Sequence, residues 1–270
     1  MGTSKPFGGI PNGTPLVPSW IEEFDNISNE DEESEIVEDN DTSSITIPIN
    51  NRFTNPRSYF THFINSKGTK KYHLTNSIRQ YVKHGLGGPK TAAKRMNVSN
   101  VTALELLQTL QNIRNTGTET TLQQLNLDYL IGQTHEAIIV GLIDFFAPPG
   151  GLIDEAIARQ SLIDATIELI EQGFENLEEL NESQLREYTI NFIAKTIERR
   201  LIVDIALRII ELPRTLSDYK TIEEILHSHI RGCVDLAIKN VNILNMEFLD
   251  KKLKLIYENA FEILEIEEVQ

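Results

Sequence analysis

Five aliphatic residues spaced four apart, Ile193, Ile197, Leu201, Ile205 and Ile209, constrain the fold of this chain more than any other feature. On an α-helix this spacing traces one slightly drifting apolar stripe. Arg200, Asp204 and Arg208 interrupt the other faces, and Pro213 supplies a stop, so the spacing predicts a helix over roughly Ser183 to Glu211. The C-terminal stretch repeats the device, with Leu249, Leu253, Ile256, Ala260 and Ile263 in alternating steps of four and three. The only alternating segment, Ser44 to Ile49, is isolated and contains Pro48, which suits an extended arm or an edge strand at most. The expected fold is all-α: a multi-helix globular body with a long disordered acidic N-terminal arm.

Charge divides the chain into three blocks. Residues 1–51 hold eleven acids and one base, Lys5, together with Pro11, Gly13, Pro15 and Pro18. Such a segment buries too little apolar area to offset the entropy of ordering it, so 1–51 is read as a disordered acidic arm. No acid occurs between Asp41 and Glu105, while Arg52 to Arg95 contribute ten bases. Residues 52–116 are therefore read as a basic helical region, and 117–270 as an acidic α-helical body. Within the basic region, 52–72 reads as irregular. Short helices are then expected over Leu74 to Lys83, Lys90 to Met96, Val101 to Ile113, Thr134 to Phe146 and Leu152 to Glu171.

The net charge of −15 argues against a general affinity for nucleic acid or anionic membranes. The single cysteine, Cys233, leaves no internal disulfide and fits a reducing compartment. The N-terminus lacks the apolar core of a secretory signal, and the most apolar stretch, Ala137 to Ala147, is too short to span a bilayer and contains Asp144. A cytoplasmic protein with no membrane partner is the expectation.

Few residues suggest chemistry. His227 and His229 stand two apart and point to different sides of a helix, and His135-Glu136 lacks the second histidine of a zinc-protease helix, position 139 being Ile139. No metal and no cofactor are expected. Asp144 and Asp154-Glu155 flank the loop Pro148-Pro149-Gly150-Gly151, but acids in a helix's first turn are favoured by the helix dipole without catalysis. Gly85-Leu86-Gly87-Gly88-Pro89-Lys90-Thr91 lacks the spacing of a phosphate loop. Cys233 reads as a buried structural thiol. No catalytic residue is assigned.

Two binding features stand out. In the arm, Leu16, Val17 and Ile21 flank Trp20, the only tryptophan, a pattern suited to docking in a partner's groove. Thr91 to Leu104 resembles a helix-turn-helix, with paired alanines, a turn at Val98 and Ser99 as the N-cap of a reading helix. Lys90, Lys94 and Arg95 would contact nucleic acid or an acidic partner. Nucleic acid is the weaker of the two, because Asn100 to Gln111 carries Glu105 and no base. A DNA-binding protein using residues 90–113 is the alternative function.

In order along the chain stand Met1-Gly2-Thr3-Ser4 with Gly8-Gly9, Thr14-Pro15-Leu16-Val17-Pro18-Ser19-Trp20, and Arg57-Ser58-Tyr59-Phe60. Then come Tyr81-Val82, Gly87-Gly88, Ala92-Ala93, Arg95-Met96, Leu142-Ile143-Asp144-Phe145, Pro149-Gly150-Gly151 and Ile153 to Arg159. Together they resemble QatB, the B component of the bacterial Qat anti-phage defence system. The likeness covers the opening tail and roughly residues 57–215, and fades after Pro213. It implies a subunit without known catalytic residues, acting beside an ATPase, a QueC-like enzyme and a TatD-like nuclease. Relatives of that QueC-like enzyme are thought to attach a deazapurine to a partner's N-terminal glycine, which makes Gly2 the implied modification site. N-myristoylation of Gly2 is disfavoured by Pro6.

Overall fold

The computed structural model describes residues 51–173, 176–205, 215–243 and 247–266. Among these residues the regular structure is entirely helical: α1 (Thr54–Asn65), α2 (Lys71–Gln80), α3 (Pro89–Arg95), α4 (Asn97–Thr116), α5 (Thr118–Gln124), α6 (His135–Phe146), α7 (Ile153–Glu171), α8 (Glu182–Asp204), α9 (Leu216–Ile238) and α10 (Leu249–Ile266). The arm over 1–50, with Gly2, Leu16, Val17, Trp20, Ile21 and the Ser44–Ile49 segment, lies outside the described residues.

The apolar stripes go where their spacing directs them. Ile193, Ile197, Leu201 and Ile205 are all buried, as are Leu249, Leu253, Ile256 and Ala260. α8 packs against α7 and α9, and α10 packs against α9, α4, α3 and α2. One continuous core results, reaching from Phe60 and Phe63 on α1 to Phe261 and Leu264 on α10. Several of its buried hydroxyls are partnered across helices. The Tyr257 and Thr196 hydroxyls lie 2.9 Å apart, those of Thr166 and Tyr188 3.2 Å apart, and Ser77 donates to the Pro56 carbonyl at 2.8 Å. Each such bond spares a buried polar group the roughly 1–3 kcal/mol cost of going unpaired.

Local chemistry explains the boundaries. Asn181 and Gln184 cap α8 reciprocally, Asn181 accepting from the Gln184 amide at 2.9 Å and Gln184 from the Asn181 amide at 3.0 Å. Glu155 accepts from the Leu152 amide at 2.8 Å at the start of α7, and Thr134 from the Ala137 amide at 3.3 Å at the start of α6. Between α2 and α3 the helix widens into a π-turn over Tyr81–Gly85. Gly87 and Gly88 then take φ of +81° and +89°, left-handed values that glycine adopts without penalty, and Pro89 opens α3.

The region 52–72 is not irregular. Thr54–Asn65 is helical because Pro56 falls in the first turn, where a missing N–H costs nothing, and Phe60, Phe63 and Ile64 share a buried face. The turn expected at Val98 does not form. Only Met96 separates α3 from α4, so Ser99 lies inside α4, buried, rather than capping it.

Three bases of the acid-free block reach the C-terminal helices, two of them to carboxylates. Lys67 pairs with Asp218 at 3.3 Å and Lys90 with Glu258 at 3.9 Å, while Arg79 donates to the Glu265 carbonyl at 3.2 Å.

Candidate functional site

An open cleft of about 520 Å³ forms where the start of α1, the start of α7 and the end of α8 converge. Arg52 and Phe53 line one side, Leu152, Ile153 and Asp154 another, and Arg200, Val203 and Asp204 the floor. Phe53 is seated by its neighbours: its ring centroid lies 5.9 Å from that of Tyr81. A Cβ on Gly85 would come within 2.8 Å of that ring, so the site requires the bare backbone there.

Asp204, the last residue of α8, gathers donors from three elements. Its carboxylate accepts from the Tyr81 hydroxyl at 2.8 Å and from Arg200 Nε at 3.1 Å, and its carbonyl from Arg57 at 3.2 Å. Arg200 reaches onward to Asp154, so one guanidinium joins both carboxylates. Burial alone would lower the Arg200 pKa, yet Asp204 and Asp154 more than offset it and hold it above its ordinary value. Burial, reinforced by Asp204, pushes the Tyr81 phenol well above its usual range. Arg52 is shifted the other way, lowered by burial and by the charge of Arg95. Its guanidinium lies 4.6 Å from the Phe53 ring centroid, and its Nε is buried without a hydrogen-bond partner among the described residues.

The three sequence-predicted basic contacts do not act together. Arg95 stands near enough to the cleft for its charge to bear on both Arg52 and Tyr81. Lys90 points to α10, and Lys94 is exposed on the surface of α3. On the would-be reading helix, Asn100 and Thr102 are buried, Asn100 donating to Asp250 at 2.9 Å and Thr102 to the Val98 carbonyl at 3.0 Å. That start of α4 faces its own protein.

The acids around the Pro-Pro-Gly-Gly loop are not brought together either. Asp144 accepts from Arg159 at 2.6 Å, Asp154 is held by Arg200, and Glu155 caps its own helix. Arg159 also donates to the Ala147 carbonyl at 2.6 Å, fixing the loop's entry. His227 is held at the edge of the core. Its Nδ1 lies 2.8 Å from the carboxylate of Glu198, which is 2% exposed and also 3.6 Å from Lys195 Nζ. Cys233 is buried and forms no disulfide. Among the described residues no three His, Cys, Asp or Glu side chains are grouped to hold a metal, and no helix is long and apolar enough to cross a membrane.

Sequence reasoning passed over Arg52, Phe53, Tyr81, Arg200 and Asp204. The available signal was the acid-free run itself, since arginines without local counter-charges must find carboxylates elsewhere in the fold.

A family model described as "Qat anti-phage system associated protein QatB" matches residues 87–264. The match runs from before α3 to α10, so it takes in the helices after Pro213, where the likeness read from the sequence faded. No curated protein and no solved structure matches the chain.

Proposed function

Because this chain belongs to the QatB family of Qat anti-phage system proteins, we propose that it is a non-enzymatic subunit of that system, binding the partner ATPase and presenting its N-terminal tail for modification at Gly2 by a QueC-like enzyme. The family match is the observation that carries this reading. The ordering of the side chains supports it. The carboxylates nearest the cleft, Asp154 and Asp204, are spent on holding α7, α8 and the π-turn in register, as Asp144 is on the α6–α7 loop. A general acid or base needs a carboxyl free to exchange its proton with substrate.

The body offers surface for partners. Val140 and Phe145 on α6, with Leu152 and Ile153 after the loop, expose large apolar side chains, of the kind that anchors protein interfaces. In the tail, Leu16, Val17, Trp20 and Ile21 form a docking motif for a second subunit, the TatD-like nuclease being one candidate. A small residue after Met1 permits removal of the methionine and leaves Gly2 as the accepting amine.

The test is mass spectrometry of the intact protein and of its N-terminal peptide, after expression with and without the neighbouring genes. A mass increase on the peptide beginning at Gly2, dependent on the QueC-like enzyme, is expected, together with co-purification of the ATPase. An unmodified Gly2 under both conditions would remove the tail from the mechanism. Failure of every neighbour to co-purify would remove the subunit reading as well.

A further inference from the structure

Four guanidiniums, Arg52, Arg57, Arg95 and Arg200, surround two carboxylates, Asp154 and Asp204, in and beside the cleft. Arg200 and Tyr81 already satisfy the carboxylates. Among the described residues neither Arg52 nor Arg95 forms an ion pair, and Arg52 Nε has no acceptor. The lining is balanced by formal count, Arg52 and Arg200 against Asp154 and Asp204. With both carboxylates already answered, Arg52 in the lining and Arg95 beside it leave about two positive charges open, on planar donor forks whose geometry matches carboxylates. Its rim is aliphatic and uncovered: Leu152 is 77% and Ile153 62% exposed. An exposed pair of large aliphatics beside unpaired arginines has the composition of a protein-binding hot spot.

We propose that this cleft is the seat for an acidic segment of a partner subunit, with a carboxylate clamped by Arg52 and Arg95 and a neighbouring aliphatic side chain resting on Leu152 and Ile153. The proposal rests on the reading of this chain as a partner-binding subunit, and it names the chemistry of the contact. Charge decides for a peptide over a nucleotide. A triphosphate would bring more negative charge than two free guanidiniums neutralise, next to Asp154 and Asp204, whereas one or two side-chain carboxylates match them. The cleft is also open along its length, which suits a segment of chain better than an enclosed small molecule.

The test uses the intact chain and overlapping labelled peptides that tile the system's other subunits, with binding read by fluorescence polarisation. At least one peptide rich in Asp or Glu beside Leu, Ile or Val should bind. Arg52→Ala combined with Arg95→Ala should weaken that binding by about tenfold or more, the usual cost of removing one side of a desolvated charge pair. Lys94→Ala on the exposed face of α3 should leave it unchanged, and Arg52→Lys should restore part of it. Circular dichroism of each variant confirms that the helices persist. Should the double variant fail to fold, Ile153→Asp, which alters only the exposed rim, should give the same loss.

Three results would overturn the proposal: no tiled peptide binds, a peptide binds equally well to the double variant, or ATP or inorganic phosphate is what binds in an arginine-dependent way. A peptide from residues 1–50 of this chain binding in place of any subunit's peptide would also overturn it. Co-purification of the ATPase is scored separately, so the cleft can fail while the subunit reading stands.

Discussion

Raising the pH should unfold this protein through three of its tyrosines. Tyr81, Tyr188 and Tyr257 are 1%, 4% and 0% exposed, and burial pushes each phenol above its ordinary range. Their hydroxyls are held by Asp204, Thr166 and Thr196 respectively. Above a pH of about 10 an unfolded tyrosine loses its proton while these three keep theirs. The unfolded state then binds fewer protons, so stability falls as pH rises. The limiting slope is about 1.4 kcal/mol per pH unit for each tyrosine and about 4 for the three together. Integrated from half-ionisation, this comes to about 3 kcal/mol over the first pH unit and about 7 over two. The second figure rivals the 5–15 kcal/mol stability of ordinary domains. The assay is a titration followed by phenolate absorbance and by far-ultraviolet circular dichroism in parallel. Three of the seven tyrosines should ionise in one cooperative step coincident with loss of helix. Urea unfolding of Tyr188→Phe should show a slope shallower by about 1.4 kcal/mol per pH unit. Ionisation of all seven in one smooth phase with the helical signal intact would refute the argument.

Four further outcomes follow from the packing and the ion pairs. Leu142→Ala, at a fully buried position on α6, should lower the unfolding free energy by about 2–5 kcal/mol in urea titrations. Gly141→Ala should destabilise by about 1–3 kcal/mol by overpacking, even though alanine favours helix, because its Cβ would come within 2.6 Å of Leu130 Cδ1; a gain in melting temperature would show that Leu130 moves aside freely. Glu198→Ala removes the partner of both His227 and Lys195 in the core and should cost about 3–5 kcal/mol. Lys90→Ala, which breaks only a solvent-exposed pair at 3.9 Å, should stay within about 0.5 kcal/mol by the same measurement.

Much of the fold was legible because its longest helices carry clean stripes. The positions named on α8 and α10 from spacing alone, through Ile205 and Ala260, are buried, and α6 and α7 begin within a residue of their expected starts. Beyond Ile205, Ile209 and Pro213 lie outside the described residues. α1 was not legible: its aromatics and Pro56 suggest irregular chain until Phe60 and Phe63 are seen to share a face against the core. The helix-turn-helix expectation failed over a single residue. Ser99 carries a cap-like side chain, yet the adjoining Asn100 is bonded to Asp250, a partner 150 residues away, and that tertiary contact outweighs the local preference for capping. The cleft was hidden for a related reason. Arg52, Tyr81, Asp154 and Asp204 each look like ordinary residues of their own segments, and only the fold brings them together. Charge bookkeeping along the sequence shows that the basic run lacks local acids, but not which distant acids answer it.

The packing of α10 against α2, α3 and α4 also sets a timetable. During synthesis the basic helices emerge first, with the faces that α10 packs against uncovered. The helix that covers them ends at Ile266, roughly 170 residues after α3, which a ribosome working at about 5–20 residues per second needs some 10–30 seconds to produce. Until then the early segments cannot complete their core, so a chain broken before α10 is left with its first half as unfinished as its last. The last long helix thus decides when the first ones can finish folding.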